Sequence, residues 1–267
     1  MTPYRTKCKN DANDAEAICK SISRPKMQFV AVKSEEARAV LMVGRDQDMA
    51  MANRTAQKIN QIRGRLAEFG IALPQGLGRV RTSLPDVLED PENGVPWIAG
   101  DVLAKLLEQL RTFDAKIAGY DLQIREIAAA SEPAQRLMKV DSMGPLTATA
   151  LIATMGDPKA YDGGRNFAAS VGLIPRQSSS GGKERLGPIT RKGDSYLRKL
   201  LVLGAHAYLR TMDKKTDRKA AWAKGLKERR HTNVAAVALA AKHARIAWAM
   251  LAHGTEYRPA GLEAAAA

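Results

Sequence analysis

The run LAKLLEQLRTFDAKIAGYDLQIREI, residues 103–127, decides the fold class. Its large apolar side chains Leu103, Leu106, Leu110, Phe113, Ile117, Tyr120, Ile124 and Ile127 recur at alternating steps of three and four. A helix with 3.6 residues per turn gathers those positions into one stripe, whereas a strand with its period of two scatters them over both faces. The alternation lasts for roughly four heptads, long enough to predict a coiled-coil seam. Two occupants fit the seam: an antiparallel helix from the same chain, or a helix from a second copy.

Working upstream, Ser34 stands as an N-cap before Glu35 and Glu36, acids that the helix dipole favours in a first turn. From there the chain reads as helix to Gly70, with an apolar stripe of Met42, Met49, Ala52, Ala56, Ile59, Leu66 and Phe69. A short FVAV, residues 29–32, reads as β-like. Before it, residues 11–23 read as a short helix that stops ahead of Arg24-Pro25, because proline disfavours helix in the residue before it. The Gly- and Pro-rich LPQGLGRVRTSLPDVLEDPENGVP, residues 73–96, reads as the loop between the two long helices.

At 267 residues and 45% hydrophobic content the chain has enough material for a proper core. No run of about 18 apolar residues and no charged-then-apolar leader is present, so neither a membrane span nor a signal peptide is expected, and the cytoplasm is the default compartment. Cys8 and Cys19 have no zinc-type spacing and read as ordinary side chains in a reducing compartment. The net charge is +14. Between Arg176 and Arg230, 16 Lys and Arg stand against 5 Asp and Glu, an excess of +11. So concentrated a basic patch points to a polyanionic partner, above all nucleic acid.

That patch follows a second helical region. RLMKVDSMGPLTATALIATMG, residues 136–156, reads as helix, tight turn at Met143-Gly144-Pro145, and helix. Pro145 suits a first helical position and Gly144 a positive backbone angle. This resembles a helix-hairpin-helix, whose turn amides can hold a phosphate; a purely structural hairpin is the alternative. Next come Ser178-Ser179-Ser180 and Gly181-Gly182, ringed by Arg176, Lys183, Arg185, Arg191 and Lys192. Serine becomes a nucleophile when a base or a cationic, phosphate-orienting setting assists it. A flexible polar loop is the alternative by composition. Asp194 or Ser195 then caps a helix with Arg198 and Lys199 outward and Leu197, Leu200, Leu201 and Leu203 inward. Trp222 and Trp248 read as packing residues.

Asp11 and Asp14 sit three apart, so on a helix they share a face and suit one hard cation such as Mg²⁺. First-turn acids also suit the helix dipole for its own sake, and composition alone favours that role.

Several segments together, KNDANDAEAI (9–18), RGRLAEFGI (63–71), MGPLTATALIATMGD (143–157), SVGLIPRQSSSGGKERLGPITRKGDSYLRKLL (170–201) and VALAAKHARIAWAML (237–251), resemble in order the bacterial insertion-sequence transposases of the DEDD type. These act as bridge-RNA-guided recombinases. The resemblance implies a mainly α fold: a remnant of an RNase H-like domain (1–33), a stalk of long antiparallel coiled-coil helices (34–130), a helical C-terminal transposase domain with the helix-hairpin-helix (131–256), and a disordered tail (257–267). It implies that Asp11 and Asp14 are the last two acids of the quartet and bind Mg²⁺. It further implies that a serine of the SSG segment, Ser180 with Ser179 in reserve, attacks a DNA phosphate. Gly144, Arg176, Lys183, Arg185, Arg191, Lys192, Arg198 and Lys199 are the expected nucleic-acid contacts. The implied partners are DNA, a guide RNA and further copies of the chain through the coiled coil, with no membrane, in a nucleoid-associated cytoplasmic setting. The first Asp and the Glu of the family quartet have no counterpart here, so an N-terminally truncated chain, inactive alone, is expected. The competing expectation is a non-catalytic nucleic-acid-binding dimer formed through the coiled coil.

Overall fold

The computed structural model describes residues 10–24, 31–179 and 183–259 of the chain. They belong to two units, Met1–Val32 and Lys33–Ala267. In the first, helix α1 (Asp11–Ile22) starts where the Asn10 side chain accepts a hydrogen bond from the Asn13 backbone N–H at 2.7 Å. Phe29 and Val30 of FVAV, together with Cys8, lie outside the described residues; Ala31 and Val32 are not in a strand.

The second unit opens with α2 (Glu35–Asn53), capped by Ser34, whose hydroxyl accepts from the Ala37 N–H at 3.1 Å. A π-helical turn, Arg54–Ile59, carries it without a break into α3 (Asn60–Ala67). The wide turn inserts a residue and re-phases the buried stripe. The stripe is Leu41, Gly44, Gln47 and Ala50 before the turn, and Ile59, Ile62 and Leu66 after it. The expected stripe is corrected at its start: Met42 and Met49 are 61% and 62% exposed. Hydrophobicity picks out those methionines, whereas the packed face is built from a glycine that allows close approach and a glutamine bonded to Asp121.

Helix α5 (Trp97–Ala130) returns antiparallel to α2, as three cross-links show: Gln47 to Asp121, Arg54 to Asp114 at 3.0 Å, and Lys58 to Gln109. Leu103, Leu106, Leu107, Leu110, Ile117 and Ile124 of the seam are buried. Helices of the same chain pack along this seam. One of them was expected to be loop. Residues 77–89 form α4 (Leu77–Glu89), with Val80 and Leu84 fully buried against Ile62, Leu66, Leu103 and Leu110. Pro85, inside α4, removes a helical hydrogen bond at a cost of about 3 kcal/mol. Two fully buried aliphatic side chains return roughly 1.5–3 kcal/mol each, which explains why the helix survives its proline.

A second core joins α6 (Glu132–Met138), α7 (Pro145–Met155), α8 (Gly164–Ser170), α9 (Ser195–Thr211) and α11 (Thr232–His253), with α10 (Arg218–Arg229) laid against α11. Alone among the described residues, α11 is long and apolar enough to cross a membrane by length and composition. Its face of Ala235, Ala236, Leu239, Ala240, Ala244 and Ala247 is buried against α8 and α9, and the small side chains let those helices approach closely. The only strands among the described residues are β1 (Pro175–Gln177) and β2 (Leu186–Ile189), an antiparallel hairpin with an irregular register at Arg176. The architecture is mainly α, as expected.

Two outcomes follow from this packing. Leu84→Ala lowers the unfolding free energy in urea by about 2–5 kcal/mol, the cost of a buried leucine cavity, where a loop leucine would shift it by no more than about 0.5 kcal/mol. His243 is 1% exposed, and burial first, then Lys219, push its pKa down to about 3 from 6.5, with Asp141 opposing. Between those two values the unfolded chain binds a proton that the folded chain does not. The stabilisation is therefore complete above pH 6.5 and is lost as pH falls towards 3, with a slope approaching ~1.4 kcal/mol per pH unit. His243→Leu removes that part of the acid limb, read as the wild-type-minus-variant difference in urea midpoints from pH 7 to pH 5.

Candidate nucleic-acid interface

The basic segment is built on an interlock between two turns. After α8 the chain passes Gly172 at φ +75°, and before α9 it passes Gly193 at φ +80°. A Cβ on Gly172 would stand 2.2 Å from the Lys192 carbonyl oxygen, and one on Gly193 would stand 1.7 Å from that of Ser170. Both positions thus exclude any side chain, by angle and by space. Arg198 closes the joint, its guanidinium donating to the carbonyls of Val171 at 2.8 Å and Lys192 at 3.1 Å. Asp194 caps α9, accepting from the N–H groups of Tyr196 at 2.8 Å and Leu197 at 3.1 Å.

From this base the β1–β2 hairpin projects. The Ser178 N–H donates to the Arg185 carbonyl at 2.9 Å, and the Ser179 hydroxyl accepts from the Arg185 N–H at 3.2 Å. Ser179 is thus bonded across the neck of the hairpin. Ser180, with Gly181 and Gly182, lies outside the described residues. Arg176, Lys183, Arg185, Arg191 and Lys192 are all exposed, and none takes part in an ion pair among the described residues.

Two expected contacts have other work. Arg198 spends donors on the two backbone carbonyls and is half-buried, and Lys199 pairs with Asp48 of α2. Leu203, expected inward, is 54% exposed. The residues from α2 that brace this end of α9 were not foreseen. Arg45 reaches Asp194 at 3.3 Å, and Gly44 leaves room for the Tyr196 hydroxyl, which a Cβ would approach to 2.5 Å. Spacing within one segment carries no signal of a partner some 150 residues away; the glycines of VGL and KGD were the available clue. Burial first, then Asp48, push the Tyr196 phenol up to about 12, with Arg45 opposing, so it stays neutral at physiological pH.

The turn between α6 and α7 also differs in detail. Pro145 begins α7 as expected, but Gly144 is extended at φ −83° and the positive angle falls on Ser142 at φ +71°. The reason is docking: Gly204 of α9 packs so closely that a Cβ there would lie 2.5 Å from the Ser142 carbonyl oxygen. Asp141 in the same turn pairs with Lys215 at 2.7 Å and lies 3.8 Å from the buried Lys219. A Cβ on Gly144 would meet open space, beside the start of α7 where amides precede the first helical bond, from Ala148 to the Gly144 carbonyl at 2.9 Å.

Asp11 and Asp14 occupy the first turn of α1. Among the described residues no three His, Cys, Asp or Glu gather closely enough to hold a metal by themselves. Two carboxylates one turn apart nevertheless fit part of a Mg²⁺ shell, since that ion commonly takes one or two carboxylates and fills the rest with water and phosphate oxygens.

Comparison with known proteins bears on the same segments. A family model described as Transposase IS116/IS110/IS902 family matches residues 134–221, spanning the α6–α7 turn, the hairpin and α9. The "Probable family 20 transposase" of Pseudomonas aeruginosa is 44% identical over 97% of this chain and 77% of its own length. The "Transposase for insertion sequence element IS1111A" of Coxiella burnetii is 40% identical over 97% of this chain and 71% of its own length. That for IS1328 of Yersinia enterocolitica is 38% identical over 96% and 76%.

The interlock carries a direct test. Gly193→Ala combines a left-handed angle with a backbone clash and destabilises the fold by roughly 2–5 kcal/mol, whereas Gly144→Ala leaves the thermal midpoint within about a degree of wild type. Thermal unfolding followed by circular dichroism compares the two.

Proposed function

Since this chain belongs to the IS116/IS110/IS902 family of insertion-sequence transposases, we propose that its β1–β2 hairpin is the surface that grips and cuts DNA. The observation that carries this reading is the row of exposed, unpaired cations, Arg176, Lys183, Arg185, Arg191 and Lys192, on a base that two glycines and Arg198 make rigid. Cations held by a stiff frame fix the register of a phosphate backbone, and a serine at the hairpin tip then meets a phosphodiester already oriented. Gly144 and the start of α7 offer a second phosphate contact. A guide RNA presents the same phosphate chemistry to the same surface.

In the step itself the serine oxygen, Ser180 or Ser179, forms a bond to phosphorus while the bond from phosphorus to one strand oxygen breaks. The serine proton leaves and the departing strand ends as a hydroxyl. Attack by a DNA hydroxyl on the serine phosphodiester then reverses the exchange, rejoins a strand and restores the serine. Asp11 and Asp14 would hold Mg²⁺, which when bound offsets charge on the phosphate oxygens. The residues of the hairpin hold the strand in place.

Capture of a covalent protein–DNA adduct tests this, using the full chain, element-end DNA, guide RNA and Mg²⁺; an adduct formed by the wild-type chain also overturns the expectation that it is inactive alone. The adduct is expected to vanish in Ser180→Ala and to fall at least about 100-fold in Asp14→Asn, in line with the loss of electrostatic support for phosphoryl transfer. An adduct that persists at wild-type yield in both Ser180→Ala and Ser179→Ala sinks the serine mechanism.

A further inference from the structure

A second basic surface lies away from the hairpin, where α10 meets α11. Arg218 and Trp222 stand one turn apart on α10, and Lys242 and Arg245 almost one turn apart on α11. Trp222, Lys242, Arg245, Ile246 and Ala249 line an open depression of about 460 Å³. Trp222 is 36% exposed, more than a packing tryptophan needs, and the Lys242 ammonium lies 4.5 Å from its ring centroid. Trp248, by contrast, donates its indole N–H to the Pro158 carbonyl at 3.0 Å and is a packing residue as expected.

No ion pair among the described residues involves Arg218, Lys242 or Arg245. The acid next to them in sequence, Asp217, is engaged in capping α10, accepting from the Ala220 N–H at 2.6 Å. Burial first, then Arg245, lower the Lys242 pKa, with Asp217 opposing. Three cations around a half-open indole match a polyanion whose bases are free to stack, and duplex DNA keeps its bases inside.

Helix α8 relates this depression to the hairpin base. At its start a Cβ on Gly164 would lie 3.0 Å from the Arg245 Cα; at its end Ser170 receives Gly193. Seven residues of helix span about 10 Å, and exposed Arg165 lies between.

We propose that the Trp222–Lys242–Arg245 depression binds single-stranded DNA, taking an unpaired base against Trp222 and phosphates on Lys242, Arg245 and Arg218. The choice of DNA over RNA rests on the transposase reading above; the site itself is independent of the hairpin. An enzyme that parts DNA strands has to hold one that is no longer paired, and α8 links this surface to the base of the proposed DNA-gripping hairpin.

Fluorescence anisotropy with the full chain tests it, using a 20-nucleotide dT strand, a 20-base-pair duplex and a 20-nucleotide U strand from 50 to 200 mM salt. K242Q/R245Q is expected to weaken dT binding about ten-fold and to flatten the salt slope by about 1.4, the release of two counterions from a single strand. Trp222→Ala is expected to weaken dT binding about ten-fold with the slope and the duplex affinity unchanged, and Trp222→Phe to retain it. Wild-type dT affinity in a folded K242Q/R245Q protein overturns the proposal, and that variant alone decides if Trp222→Ala does not fold. Tighter binding of U than of dT, lost in the same variant, overturns the assignment to DNA. R176Q/R185Q separates the two surfaces: wild-type duplex affinity there rejects the hairpin reading, and wild-type dT affinity there, with loss in K242Q/R245Q, leaves this one standing.

Discussion

The joint between Ser170–Leu173 and Arg191–Asp194 is the constraint on which the basic region depends. A β-hairpin with strands of three and four residues has too little area to be stable alone. Here its two ends are fixed by glycines that let backbone touch backbone, and by a guanidinium bonded to a carbonyl on each side. The pairing of Ser179 with the Arg185 amide thus stands on that base rather than on the strands alone.

The same joint ties the hairpin to the long helices. Asp194 caps α9 with one carboxylate oxygen and meets Arg45 with the other, while Lys199 reaches Asp48. These surface pairs are each worth at most about 1 kcal/mol. The close approach of Gly44 to Tyr196 is less forgiving, because a side chain there would displace a buried phenol. Position is therefore set mainly by shape, with charge refining it.

What was legible in the sequence follows from how each element is stabilised. The 103–127 stripe was readable because large aliphatic residues alone fill that seam. α4 was not, since glycine and proline are read as local breakers, whereas Val80 and Leu84 are held by distant partners. The hairpin strands escaped for the opposite reason: nearly all their residues are exposed, so no alternation of apolar and polar positions marks them. On α2 the buried Gln47 is invisible to any hydrophobic pattern, and exposed Met42 misleads it. At the α6–α7 turn, the rule that glycine takes the left-handed angle failed because the shape is imposed by Gly204 from another helix. The cluster of exposed cations was legible as composition; the joint beneath it was not, because it depends on contacts across the fold.

The +11 excess of residues 176–230 therefore has to be divided by what each cation faces. Lys199 and Lys215 are matched by Asp48 and Asp141, so they add little to the outward field. Arg198 is different. Its partners are carbonyls, which take its hydrogen bonds but leave its charge intact. Guanidinium is always protonated, and a half-buried charge is screened less than a solvated one. Arg198 thus adds to the positive potential around Arg191 and Lys192 while the joint occupies its donors. One residue serves both the rigidity of the surface and its sign, a division of labour that Lys, with its compact ammonium in place of the planar fork, would not reproduce.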